Sequence, residues 1–269
     1  MDSRAIGVFD SGLGGLTTVK KLAEYLPGED IVYLGDTGRV PYGSRSRETI
    51  IKYAQQDAAF LAGFDIKAMV IACNTVCSAA YDSVASAYEI PIYEVVSAPA
   101  RAAAGITRNN KIGVIGTAAT IRSGAYESAI KKISADLNIF AVSCPLFVPL
   151  VENGRTDRAD IAARAIAEDY LKPLKEANVD TLIMGCTHYP LLRDVISDIM
   201  GSGVTLIDSG AETAKSVADD IGTEKLRKNG GSAGSIRYFV TDSIGGFSAL
   251  ASKILGKEVS GMVEQVTID

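Results

Sequence analysis

At 269 residues the chain suits two medium α/β units, since domains usually run to roughly 100–200 residues. An apolar content of 47%, with 7% aromatic residues and no Trp, excludes a disordered or fibrous chain and supplies a core of Ala, Val, Ile and Leu. With 27 Lys and Arg against 32 Asp and Glu, the net charge of −5 excludes the basic footprint that nucleic acid or an anionic membrane surface demands, which leaves small-molecule chemistry.

The N-terminal Met1-Asp2-Ser3-Arg4 runs into only five apolar residues, 5–9, before Asp10, too few for the apolar region of a signal peptide. No segment reaches the roughly 20 apolar residues of a membrane span. A cytosolic protein is expected, with Cys73, Cys77, Cys144 and Cys186 as reduced thiols used for packing or chemistry. Short β-branched runs predict strands at 5–9, 31–34, 68–72, 91–96, 111–115, 139–143, 181–185, 204–207 and 235–240. Between them the helical pattern is clearest at 47–61, where Ile50, Ala54, Ala58 and Leu61 recur every three or four residues. Residues 73–88 and 157–177 read similarly, and 229–235, rich in Gly and Ser, read as a surface loop. Strand and helix in alternation predict an α/β fold with parallel sheets.

The chain also repeats itself. Ile6-Gly7-Val8 recurs as Ile112-Gly113-Val114 at an offset of 106, and 31–36 matches 139–144 at 108, as Val40-Pro41 matches Val148-Pro149. Val70-Ile71-Ala72-Cys73 matches Ile183-Met184-Gly185-Cys186 at 113, and the strand before Ser97 matches the one before Ser209 at 112. Five pairs in one order point to duplication: two similar α/β units related by a pseudo-two-fold, the first built from 1–97 plus 208–269 and the second from 98–207. Ligands in such sheets bind beyond the carboxyl ends of the strands, so facing units place Cys73 and Cys186 on opposite walls of one cleft.

Each of these cysteines ends a strand and opens a turn, as Cys73-Asn74-Thr75 and Cys186-Thr187-His188. Backbone N–H groups and a helix dipole there are expected to lower a thiol pKa from roughly 8.5 and to suit a bound carboxylate. Exchange of the α-proton of an amino acid needs one group to remove it and another, on the opposite face, to return it. Two facing thiols, one ionised and one protonated, meet that need. Asp10 ends the first strand as a helix cap or as a partner for a substrate ammonium. Cys77 and Cys144 read as structural.

These residues resemble a known family. Residues 6–15, Ala72-Cys73-Asn74-Thr75 and Gly185-Cys186-Thr187-His188-Tyr189-Pro190, with Val40-Pro41-Tyr42-Gly43 and Val151-Glu152-Asn153-Gly154, look like the signatures of glutamate racemases within the aspartate/glutamate racemase family. The resemblance implies a cofactor-independent, metal-free isomerase that interconverts L- and D-glutamate and supplies D-glutamate for peptidoglycan. It implies Cys73 and Cys186 as the acid/base pair, with Asp10, Glu152 and His188 assisting. Asp10, Ser11, Tyr42, Gly43, Asn74, Thr75, Thr187 and His188 would hold the substrate. Glutamate is the partner expected, with no nucleic acid or membrane, and a homodimer is left open. The duplication itself breaks where Asp10 matches Gly116 and Thr75 matches His188, an asymmetry that a substrate with one ammonium and two carboxylates requires.

Other readings fit less well. Gly12-Leu13-Gly14-Gly15 lacks the third glycine of a dinucleotide loop, Thr17 standing there, and no Cys-x-x-Cys supports a thiol redox enzyme. A two-lobed amino-acid binding protein would bind without α-proton exchange. An aspartate or hydantoin racemase is the nearest competitor.

Overall fold

In the computed structural model, residues 2–223, 233–259 and 261–268 are described. The first set of elements is β1 (Ile6–Asp10), α1 (Leu16–Tyr25), β2 (Ile31–Gly35), α2 (Arg47–Ala62), β3 (Ala68–Ile71), α3 (Asn74–Ala85), β4 (Ile92–Glu94) and α4 (Ser97–Ile106). The second is β5 (Lys111–Gly116), α5 (Ala118–Ser123), α6 (Ala125–Ile133), β6 (Asn138–Ser143), α7 (Phe147–Glu152), α8 (Ile161–Glu176), β7 (Thr181–Gly185), α9 (Arg193–Met200), β8 (Thr205–Asp208) and α10 (Ser209–Thr223). β9 (Ile236–Val240), α11 (Ile244–Leu255) and β10 (Val263–Gln265) complete the chain.

Every residue of β1, β2, β3 and β7 is buried, which a strand achieves only when helices cover both faces of a parallel sheet. The strands form a six-stranded sheet of order β10-β9-β2-β1-β3-β4 and a four-stranded sheet of order β6-β5-β7-β8. Within the larger sheet, β2-β1-β3-β4 is the same arrangement as the smaller sheet. The repeat offsets reappear in the register: Phe9 lies opposite Leu34 and Ile71, and Ile115 lies opposite Val142 and Met184. The fold is therefore the expected pair of α/β units related by duplication.

The strand ends differ from expectation by a residue or two, with one larger change. The strand expected at 91–96 stops at Glu94, because that carboxylate accepts the Val96 and Ser97 N–H groups at 2.5 and 2.7 Å and turns the chain into α4. β10 was not expected; three half-exposed residues on a sheet edge carry no apolar run. Of the loop expected at 229–235, residues 229–232 lie outside the described ones, while Ser235 donates to Asp30 Oδ1 at 2.8 Å and leads into β9 beside β2.

Helix faces follow the apolar spacing. Ser46 caps α2 by accepting the Thr49 N–H at 3.3 Å, and Ile50, Ala54, Ala58 and Leu61 are buried on one face, with Asp57 among them. A buried carboxylate on an apolar stripe needs a partner.

The helix that follows β8, α10, packs against α1 at a glycine. A Cβ on Gly210 would lie 2.4 Å from Thr18 Oγ1, 3.3 Å from its Cβ and 3.4 Å from its Cα. Gly→Ala inside a helix ordinarily stabilises by about 0.5–1 kcal/mol. Here Thr18 is β-branched and fully buried, so it has no room to turn away, and overpacking costs about 1–3 kcal/mol. Gly210→Ala is therefore expected to lower the melting temperature by roughly 2–4 °C per kcal/mol lost. A melting temperature equal to or above that of the unaltered protein would show that the helices part without strain.

Candidate active site

A cavity of about 520 Å³ lies between the carboxyl ends of the two sets of strands. Its walls are built from the residues that follow the central strands: Ser11 after β1, Cys73 after β3, Thr117 after β5 and Cys186 after β7. Fourteen of its nineteen lining residues fall into seven pairs at the repeat offsets. Those pairs are Ser11 with Thr117, Val40 with Val148, Pro41 with Pro149, Ser44 with Glu152, Cys73 with Cys186, Asn74 with Thr187, and Thr75 with His188. The cavity is thus a product of the duplication, each unit supplying the same positions to opposite walls.

On the first wall Cys73 is the N-cap of α3, and its Sγ lies 3.4 Å from Ser11 Oγ. The outcome for this thiol is the reverse of that expected from a strand–helix turn. Burial, followed by the nearby charge of Asp10, pushes it up to about 12, against the lowering effects of Ser11 and the Val76 N–H. Cys73 is a thiol at neutral pH. Thr75 Oγ1 meets Thr117 Oγ1 at 2.9 Å, tying the two walls together, and the Asn74 amide is held by Tyr126 and Ser209.

On the second wall Cys186 Sγ lies 3.9 Å from His188 Nδ1, and His188 Nε2 lies 3.3 Å from Glu152 Oε1. The latter is an ion-pair distance without hydrogen-bond alignment, so Nε2 has no hydrogen-bond partner among the described residues. Burial works against a charged ring, but the Cys186 contact and the adjacent Glu152 carboxylate, with the charges of Cys186 and Asp10, outweigh it and raise His188 to about 10. His188 is an imidazolium at neutral pH.

Asp10 is fully buried and does not line the cavity. Its Oδ1 accepts the Gly12 N–H at 3.0 Å, Thr187 Oγ1 donates to Oδ2 at 3.3 Å, and burial raises its pKa while the His188 charge lowers it. α1 begins at Gly15 with no side-chain cap, so Asp10 braces the turn ahead of that helix and faces the imidazolium rather than open cavity. The turn approaches the second unit closely: a Cβ on Gly14 would lie 2.1 Å from Thr187 Oγ1 and 2.6 Å from His188 Nδ1. Only glycine fits there.

Tyr42 and Gly43 line the cavity from a 3-10 turn, but the Tyr42 hydroxyl is committed elsewhere. It hydrogen-bonds Asp36 and, at 3.1 Å, Asp57 Oδ2. Arg39 completes the cluster, with Nε 2.5 Å from Asp36 and NH2 2.8 Å from Asp57, the buried carboxylate of α2. Burial and then the Asp36 charge hold the Asp57 carboxyl well above the usual range, while Arg39 opposes them. Tyr42 therefore presents its ring and backbone to the cavity, not its hydroxyl.

Cys77 and Cys144 are buried off the cavity, Cys77 donating to Ile71 O at 3.2 Å. Two cavity residues carry no signature, Thr117 and Arg122 at the end of α5, and neither does the Arg39 cluster that holds Tyr42 from behind. Thr117 was available from the offset of 106 applied to Ser11. Arg122 and Arg39 carry no motif.

A model of the family described as Asp/Glu/hydantoin racemase matches residues 6–217. The glutamate racemase of Geobacter metallireducens is 45% identical over 269 residues, which cover 100% of this chain and 98% of that one. Among solved structures, a glutamate racemase isoform from Bacillus anthracis superposes with a TM-score of 0.94 at 37% identity, covering 99% of this chain and 98% of that one. The glutamate racemase of Francisella tularensis, solved in complex with D-glutamate, gives 0.92 at 38% identity, covering 100% and 99%.

The charge on His188 sets a pH dependence. A folded value of about 10, above the ordinary 6.5, contributes stability that is fully present below pH 6.5 and is lost as pH rises through about 10. His188 is the chain's single histidine, so its ring ¹⁵N resonances can be read without assignment. They are expected to report a doubly protonated ring at pH 8, and His188→Gln is expected to flatten the fall in stability towards pH 10. Ring shifts of a neutral tautomer at pH 8 would remove the imidazolium from the site.

Proposed function

The chain belongs to the Asp/Glu/hydantoin racemase family, and on that premise we propose that it interconverts L- and D-glutamate by proton exchange between two thiols. The observation that carries the reading is one thiol on each wall of a single cavity, at positions related by the repeat. Glutamate, rather than aspartate or a hydantoin, is supported by relatives such as the Geobacter metallireducens glutamate racemase and the Francisella tularensis enzyme solved with D-glutamate.

In this mechanism one thiolate takes the α-proton and becomes a thiol, while the opposed thiol gives its proton to the other face of the α-carbon and becomes a thiolate. The electrostatics set the two thiols apart, since the charged His188 ring lies 3.9 Å from Cys186 while Cys73 keeps its proton to about 12. One turnover exchanges the two states and leaves the site ready for the product enantiomer. Charge that develops beside the α-carbon spreads into the α-carboxylate, for which the Asn74 amide and the Thr75 hydroxyl offer donors. Asp10 and Glu152 act through His188, keeping its charge balanced as protons move.

No helix among the described residues is long and apolar enough to cross a membrane. We place the reaction in the cytosol, where thiols stay reduced, as the source of D-glutamate for peptidoglycan.

Incubation with L-glutamate is expected to yield D-glutamate without added metal or pyridoxal phosphate, and with a higher kcat/KM than for L-aspartate. Cys73→Ser and Cys186→Ser should each lower racemisation by on the order of 10²- to 10⁴-fold, because a hydroxyl is too weak an acid to replace the thiolate. With a glutamate analogue carrying a leaving group at Cβ, α-proton removal leads to elimination and no proton need be returned. Each single variant should then eliminate from one enantiomer only, and the two should choose opposite ones. If both variants process the same enantiomer, the opposed-thiol mechanism is wrong.

A further inference from the structure

Tyr126, which no motif singles out, lies between the chain's two crossings from sheet to sheet, behind Asn74 of the cavity wall. It belongs to α6 of the second unit and is 3% exposed. Its hydroxyl lies 2.6 Å from Asn74 Oδ1 in the first unit and 2.8 Å from the carbonyl of Val95, where the chain leaves the first sheet. The ring is packed beneath the strand that delivers Cys186: a Cβ on Gly185 would lie 2.8 Å from Tyr126 Cε2. From the other side Asn74 Nδ2 lies 3.3 Å from Ser209 Oγ, at the start of α10, where the chain returns to the first unit.

We infer that Tyr126 is a positioning residue for the proposed reaction, bracing the Asn74 amide so that it offers a bound carboxylate a donor. The inference rests on the reading of Asn74 as a substrate-binding group. A carboxamide has one acceptor oxygen and two donor N–H groups. The one Tyr126 O–H, shared between the Asn74 oxygen and the Val95 carbonyl, occupies the oxygen, and Ser209 occupies one side of the nitrogen, which leaves an N–H for Asn74, lining the cavity beside Cys73, to offer. The torsion that turns a carboxamide is broad and roughly two-fold, so an unbraced Asn74 could present its oxygen instead. Two facing oxygens repel. The phenol hydroxyl therefore contributes to binding without touching the substrate, and does so from the opposite unit, so that the amide is set only when the two units are closed on each other.

The test is a double-mutant cycle on the full-length protein. It reads kcat/KM for L-glutamate and, by calorimetry, the dissociation constant of the equilibrated D- and L-glutamate mixture. Tyr126→Phe is expected to weaken glutamate binding on the order of ten-fold in the native background, the scale of one lost hydrogen bond, and to have no further effect in an Asn74→Ala background. An equal loss in both backgrounds would make Tyr126 a structural residue only and overturn the inference, as would native binding by Tyr126→Phe. Native binding by Asn74→Ala would instead overturn the reading of Asn74 on which the inference rests. Should Tyr126→Phe not fold, Ser209→Ala removes the other brace and is expected to show the same non-additivity with Asn74→Ala, additivity again refuting the bracing.

Discussion

A positive charge buried at His188 sets the electrostatics of the cleft. An unpaired charge removed from water costs several kcal/mol, while an opposite charge about 4 Å away in a protein environment returns about 4 kcal/mol. The ring is therefore stable only with its neighbours in place: Cys186 at 3.9 Å, Glu152 at 3.3 Å and the carboxylate of Asp10. Two of these come from the second unit, and Asp10 comes from the first. Closing the units completes the charge balance, which is why the Gly14 turn comes so near Thr187 and His188 that no side chain fits between them.

Duplication supplies matched positions, and the charges then break the match. Glu152 stands where the first unit has Ser44, His188 where it has Thr75, and Asp10 where the second unit has Gly116. Each charge thus occurs on one member of a pair. The result is two thiols of the same origin in different fields. Cys73 sits with Ser11 near Asp10 and is pushed up, whereas Cys186 sits beside a cation. The proposed exchange needs its two acid/base groups in opposite protonation states at any moment, and unequal fields at the two thiols suit that need.

The strands, their pairing and the cavity's paired residues were legible from the sequence because each depends on local apolar runs and on spacing that duplication preserves. The end of the strand at Glu94 was not, since a carboxylate folding back onto Val96 and Ser97 leaves no apolar signal. Cys73 shows the limit most clearly. Its turn indicates a lowered thiol, but burial is a tertiary property and outweighs the turn. Tyr42 was legible as a cavity residue and illegible in its orientation, because Asp36 and Asp57, which claim its hydroxyl, lie 21 positions apart in the chain.

That cluster also makes the two walls unequal. The first sheet has β9 and β10 beyond the repeated strands, and Thr241, just past β9, donates to Asp36 Oδ1 at 2.7 Å. The Val40–Ser44 wall is in this way fastened by charged hydrogen bonds to α2 on one side and to the sheet extension on the other. The matching wall of the second unit, 145–152, has no extension behind it. It is held by hydrogen bonds from Tyr189 OH to Cys144 O at 2.8 Å and from Leu146 N–H to Tyr170 OH at 3.4 Å, by the buried Phe147, Leu150 and Val151, and by the contact of Glu152 with His188. Neutral hydrogen bonds contribute about 1 kcal/mol each and charged ones about 1.5–3, so the first wall draws more on charged hydrogen bonds and the second more on its buried apolar side chains. The second wall carries Glu152 at the cavity, with its side chain 36% exposed and touching His188. The group nearest the imidazolium's outer nitrogen therefore stands on the four-stranded unit, while Cys73 and the Tyr42 turn stand on the unit whose sheet is extended by β9 and β10.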